Sequence, residues 1–141
     1  MVDTKITDLA SLSTTASNDV FVVVDVSDGS MAASGTDKKI TTADILKYTV
    51  SSVTSATSSP SDTYGFRVIL CDTTSNNITI TLPTAVGNTA TYRIKKTDAS
   101  SNTVTIDTTG GQTIDGDTSQ VITKQYTSID VVSNNSVWSI V

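Results

Sequence analysis

The chain has 141 residues and a net charge of −5, with no histidine, no glutamate and one cysteine. This inventory removes Ser-His and Cys-His nucleophile pairs, His-containing zinc sites and any internal disulfide framework; no basic run exceeds Lys38-Lys39 or Lys95-Lys96, so a grip on nucleic-acid phosphates is not expected. About a third of the residues are Ser or Thr and only 16% are charged, the composition of a mainly β chain rather than of a disordered or coiled-coil one.

Residues 1–50 read as a first, N-terminal module with one or two short helices. Thr7 or Ser11 can cap a helical turn carrying Leu9 and Leu12. A strand follows from Val20 to Val26, closed by the turn signal Ser27-Asp28-Gly29. Its five consecutive apolar residues, Val20, Phe21, Val22, Val23 and Val24, leave neither face polar, so both faces call for burial. Thr41-Thr42-Ala43-Asp44 signals a second short helix: Asp44 falls beside the free N–H groups of the first turn, and Ile45, Leu46 and Tyr48 supply its apolar face. A helix this short holds only when packed on something else.

Residues 51–62 are dense in Ser and Thr, include Pro60 and carry no sustained apolar stripe, so they read as a linker, with an extended inter-subunit strand as the alternative. From 63 to 141 the pattern changes to seven evenly spaced strands: FRVILCD, NITITLP, TYRIKKT, NTVTID, QVITKQ, SIDVVS and VWSIV. Gly110-Gly111, Asp115-Gly116 and Asn134-Asn135 punctuate them with residues that tolerate positive φ, the last pair predicting a hairpin. Strict alternation puts Ile78, Ile80 and Leu82 on one side of a strand and Thr79 and Thr81 on the other, the mark of a half-buried antiparallel sheet. The expected fold of this segment is therefore a small antiparallel β-sandwich or barrel-like domain. Its core should comprise Ile78, Ile80, Leu82, Tyr92, Ile94, Val104, Ile106, Ile129, Val131, Trp138 and Ile140. A faint echo links Asn77-x-Thr79-Ile80-Thr81 to Asn102-x-Val104-Thr105-Ile106, too slight on sequence alone to establish a solenoid.

The candidate chemistry is thin. Asp25-x-x-Asp28-Gly29 and Asp115-Gly116-Asp117 resemble fragments of a calcium loop, yet lack the spaced oxygen ligands and terminal Glu of one, and Asp-Gly is first a turn signal. A carboxylate pair for glycoside cleavage would have to be built from aspartates placed in turns and strand edges. Cys71 beside Asp72 reads as a small buried residue, because a neighbouring acid disfavours thiolate. Trp138 alternates with Ile140 and reads as core rather than as a sugar platform. No catalytic, cofactor or metal residues are assigned, and the chain is not expected to be an enzyme.

Two segments carry a resemblance. The opening stretch, with Ile6, Thr7, Leu9, Asp19, Val20, Asp25, Lys38, Lys39, Ile40, Thr41, Asp44 and Ile45 at the matching positions, resembles the N-terminal segment of head fibres, decoration proteins and tail fibres of tailed bacteriophages. Asp8 departs from that pattern. The later stretch, with TITLP, YRIKK, NTVTID, GGQTIDG and the final VWSIV, resembles a β-domain that recurs in virion appendages. The resemblance implies a structural virion protein, a homotrimeric capsid decoration or head fibre whose first module docks on other virion proteins (major capsid or tail proteins) and whose β-domain projects. The alternative it leaves open is a tail-fibre module recognising a host surface glycan or protein. On this basis Ile6, Leu9, Val20, Phe21, Val22, Val23, Val24, Ile40, Ile45 and Leu46 are the proposed anchoring or oligomer contacts. Localisation follows as the virion, after synthesis in the bacterial cytoplasm: the start MVDTKITD has no signal-peptide core and the run Val20 to Val24 is too short to cross a bilayer. Neither a membrane nor nucleic acid is an expected partner.

Overall fold

The structure, a computed structural model, describes residues 20–25, 36–41 and 47–141. The chain divides into two compact units, Met1–Leu46 and Lys47–Val141. In the first, β1 (Val20–Asp25) pairs antiparallel with β2 (Thr36–Thr41), Phe21 standing opposite Ile40 and Val23 opposite Lys38. The apolar run thus forms the expected strand. The turn at Asp28-Gly29 and the helix residues Thr7, Leu9, Ser11, Asp44, Ile45 and Leu46 lie outside the described residues. Thr41 ends β2, and Tyr48, expected on a helix face, is instead the first residue of a strand.

The second unit contains β3 (Tyr48–Val53), β4 (Thr57–Ser58), β5 (Phe66–Cys71), β6 (Ile78–Leu82), β7 (Thr91–Lys96), β8 (Val104–Thr108), β9 (Ser119–Ile122), β10 (Ser128–Ser133) and β11 (Trp138–Ile140). All seven strands expected after residue 63 are present, but the antiparallel reading is corrected. Two mixed sheets form, ordered β11-β10-β7-β5-β3 and β4-β6-β8-β9. In the first, β3, β5 and β7 run parallel; in the second, β4, β6 and β8 do. The chain alternates between sheets, so each successive pair of strands makes one coil stacked on the last, as in a short β-solenoid. Antiparallel β9, β10 and β11 complete the far side of the stack.

Side-chain alternation is blind to this difference, because strands half-buried in parallel or antiparallel ladders show the same period of two. The echo between the two Asn-led segments touches the right pair of strands, β6 and β8. The two segments are neighbours in stacked coils, but one residue away from the alignment of the echo: Ile78 lies beside Val104 and Ile80 beside Ile106, so Asn77 is level with Thr103 rather than with Asn102. At that level Asn77 Oδ1 accepts a 2.8 Å bond from the Thr103 amide. Residues 51–62, expected as a linker, supply the end of β3 and all of β4, because Ser and Thr suit a pleated edge where the only inward anchors needed are Val53 and Pro60, both buried.

The core lies between the sheets. Ile78, Ile80, Leu82, Val104, Ile106 and Ile122 from one sheet meet Ile69, Cys71, Tyr92, Ile94, Val131 and Trp138 from the other. Trp138 is fully buried; its ring meets Tyr92 edge-on at 5.5 Å and its Nε1 donates to the Pro83 carbonyl at 3.2 Å. Of the expected core, Ile129 is only partly buried, and Ile140 is 39% exposed because β11 is the last strand of its sheet. The punctuating residues adopt positive φ as expected at Gly110, Gly111, Asp115, Gly116 and Asn135, and Asn134 and Asn135 connect β10 to β11.

Candidate functional site

Among the described residues, ionisable groups gather at two coil corners and in one ion pair on a sheet face. The first joins the β5–β6 and β7–β8 corners. Lys96 points into the protein with no exposed surface, and its ammonium donates to Thr73 Oγ1, to Asp98 Oδ1 at 2.9 Å and to Ser100 Oγ at 3.3 Å. Three donors meet three acceptors, so the charge is fully satisfied. Asp98 also accepts from the Thr73 amide at 2.6 Å and the Ser100 amide at 2.9 Å. Burial alone would raise the Asp98 pKa, but hydrogen bonds from Ser100, Lys96 and Thr73 outweigh it and hold the carboxyl well below the usual range. Asn102 Nδ2 and Ser100 Oγ close the network on the Thr73 carbonyl. Thr73 on one corner is thus bonded to Lys96, Asp98, Ser100 and Asn102 on the next, so the cluster clamps two coils together.

The second cluster lies at the opposite corners. Asp62 accepts from Lys47 at 2.6 Å and from Arg67, while its own carbonyl receives the Tyr92 hydroxyl and the Asn88 amide. Burial pushes the Asp62 carboxyl up, but bonds from Lys47 and Arg67 bring it below its ordinary value. Lys47 is raised, chiefly by its bond to Asp62. Here too the ions hold backbone in place. Gly65, at φ +87°, lies so close that an added Cβ would stand 2.5 Å from the Lys47 carbonyl oxygen.

What remains accessible is surface. The outward face of the β4-β6-β8-β9 sheet carries Thr57, Thr79 and Thr105 side by side in register, ending at Val121. The outward face of the other sheet is apolar on its β3–β5 half: Tyr48 stacks on Phe66 at 5.6 Å, and Val50 lies beside Val68. Arg93 sits 5.5 Å over the Phe66 ring and is locked to Asp130 by a two-pronged ion pair, whose main bond raises the Arg93 pKa. Tyr48 is 62% and Val50 55% exposed, on the terminal strand of the sheet.

Of the expected anchoring residues, Val20, Phe21, Val22, Val23 and Val24 share β1 and Ile40 stands opposite Phe21; Ile6, Leu9, Ile45 and Leu46 lie outside the described residues. Sequence reasoning did not anticipate the Tyr48–Phe66 face. Its signal was Tyr48-x-Val50 alternating ahead of Phe66-x-Val68-x-Leu70, hidden because Tyr48 was assigned to a helix. Cys71 is buried and its thiol is pushed up to about 12 by burial, which removes it as a nucleophile. Comparison with protein-family models, curated proteins and solved structures finds no match.

Proposed function

We propose that this chain is a structural virion protein of a tailed bacteriophage, a homotrimeric capsid decoration or head fibre that projects its β-domain from the particle. The observation that carries this reading is the allocation of charge. The ion pairs of Lys47, Arg67, Arg93 and Lys96 with Asp62, Asp130 and Asp98 hold corners and a sheet face together, while Thr57, Thr79 and Thr105 line one outward face and Tyr48, Val50 and Phe66 part of the other. Such a body suits building and contact rather than turnover. The sequence resemblance supplies the setting, and the two-unit division of the chain accommodates an anchor and a projecting part.

A tail-fibre role in host recognition is favoured by one feature. Tyr126 is 66% exposed with φ +61°, a backbone conformation uncommon for a bulky residue, and Lys95 lies 5.7 Å over its ring. An aromatic and a cation displayed together suit a glycan contact. Labelling purified particles with antibody to this chain and imaging them separates the two: label over the capsid supports decoration, label at the tail tip supports recognition, and particles without label overturn both.

A further inference from the structure

We propose that the turn between β9 and β10 displays a subsite for an acidic saccharide, built from Tyr126 with Lys95 and Lys124; this deepens the host-recognition reading and names the class of sugar. Lys124, Gln125, Tyr126 and Thr127 make the turn, which is closed by the Thr127 amide on the Lys124 carbonyl at 3.3 Å. Tyr126 is its third residue and stands at φ +61°. A third position with positive φ ordinarily takes Gly or Asn, because a larger side chain crowds the backbone there.

Core packing does not explain a bulky residue at this place. The ring is 66% exposed, with the Lys95 ammonium 5.7 Å over it. Backbone held in a sparsely populated conformation without a packing reason points to a use for the side chain it displays. The turn is also well tied down. The Tyr126 amide donates to the Lys96 carbonyl at 2.9 Å, the Lys96 amide to the Thr127 carbonyl at 3.1 Å, and Gln125 Nε2 to the Thr97 carbonyl at 3.2 Å. The end of β7 therefore fixes the backbone that carries both the ring and Lys95 before any ligand arrives.

The charge of the ligand follows from which cations are already taken. In the second unit Lys47, Arg67, Arg93 and Lys96 are in ion pairs, whereas among the described residues no acid pairs with Lys95 or Lys124. In a chain that is acidic overall, both of these cations fall at this turn, one over the ring and the other two residues before it. The acids closest along the chain are engaged elsewhere, Asp98 by Lys96 and Asp130 by Arg93. An aromatic ring takes the C–H face of a pyranose, and an ammonium takes a carboxylate. A uronic acid carries both groups. A neutral sugar leaves the cations unused, and an inorganic anion leaves the ring unused. The site is open to solvent, so binding should be weak, in the millimolar range, and should fall as salt rises.

The test is a titration of the full chain at constant ionic strength, followed by amide NMR shifts. The probes are cellobiouronic acid, cellobiose as its neutral counterpart and sodium sulfate as a bare anion. Cellobiouronic acid should shift the amides of Lys95 and of Lys124 to Thr127 saturably, and the other two should bind at least tenfold more weakly. Lys95→Met and Lys124→Met should each weaken binding at least threefold. Tyr126→Gly should abolish it without lowering the melting temperature, because Gly accepts φ +61° freely. Absence of a saturable shift with cellobiouronic acid, equal shifts from sulfate, or binding that survives Tyr126→Gly overturns the site. Equal binding of cellobiose overturns the acidic class and the proposal with it. A Tyr126→Gly variant that melts lower shows that the ring serves the fold, and likewise overturns it. None of these measurements needs a particle, so their failure leaves the decoration reading standing, while antibody label over the capsid with binding intact overturns the tail location alone.

Discussion

Replacing Asp98 by Ala tests the clamp at its weakest point. The substitution leaves the fully buried Lys96 ammonium with the hydroxyls of Thr73 and Ser100 alone, and removes the acceptor of the Thr73 and Ser100 amides. Taking one partner from a buried ion pair costs about 3–5 kcal/mol, because the remaining charge stays desolvated. That is a large fraction of the roughly 5–15 kcal/mol that holds a domain folded. The reverse deletion is gentler. In Lys96→Met the Asp98 carboxylate keeps both amide donors and the Thr73 hydroxyl, so the loss should be about 1–2 kcal/mol. Urea unfolding followed by circular dichroism reads both, with a midpoint drop of at least about 1 M expected for Asp98→Ala. The acid limb adds a sign. The folded pKa of Asp98 is depressed, so its contribution is present above the unfolded value of about 3.9 and is lost as pH falls toward the folded value. Stability of the unaltered protein should therefore decline below about pH 4 and Asp98→Asn should decline less steeply, the remaining slope coming from Asp62 and Asp72, which are also lowered. A Lys96→Met loss equal to or greater than that of Asp98→Ala would refute the asymmetry on which the clamp rests.

Three further outcomes follow from packing. Trp138→Ala should cost about 3–5 kcal/mol, because it empties a fully buried site and strips the edge contact with Tyr92, whereas outward Thr79→Ala should stay within about 0.5 kcal/mol; equal losses in thermal melts would contradict the inward assignment. Gly65→Ala combines a left-handed φ with a 2.5 Å approach to the Lys47 carbonyl, so it should lower stability by at least about 2 kcal/mol, and an unchanged melting temperature would show that the corner yields. Cys71 should resist thiol reagents at pH 8 until the chain unfolds; labelling at the rate of a free thiol would place it at the surface.

Local pattern revealed strands and faces, while topology stayed hidden. Each run from FRVILCD to VWSIV became a strand because alternation and turn residues are local signals, and nine of the eleven expected core residues are fully buried for the same reason. Parallel stacking depends instead on which distant segments lie side by side; the Asn77 and Asn102 echo named the right two strands but in a register one residue away from the observed one. Lys96 and Thr73 were illegible because the sequence does not say that two corners distant in the chain are adjacent. Tyr48 was misread for a different reason. The capping signal at Thr41 to Asp44 suggested a helix long enough to include it, whereas pairing with β5 draws it into a strand.

The disposition of charge also predicts how copies of this chain should respond to salt. The apolar half of the outward face, Tyr48, Val50 and Phe66, carries no ion of its own, and the nearest charges are already paired within the chain. Contacts made there draw on burial of apolar surface, which salt does not screen, while the excess negative charge of the whole chain acts against association until salt screens it. Raising ionic strength from about 0.05 M, where the Debye length exceeds 10 Å, to about 1 M, where it is near 3 Å, should therefore leave association unchanged or strengthen it, and sulfate should strengthen it further. Association held by ion pairs between copies would weaken over the same range. Sedimentation across that salt series decides between them, and dissociation at high salt would mean that copies meet through charged groups rather than through apolar ones.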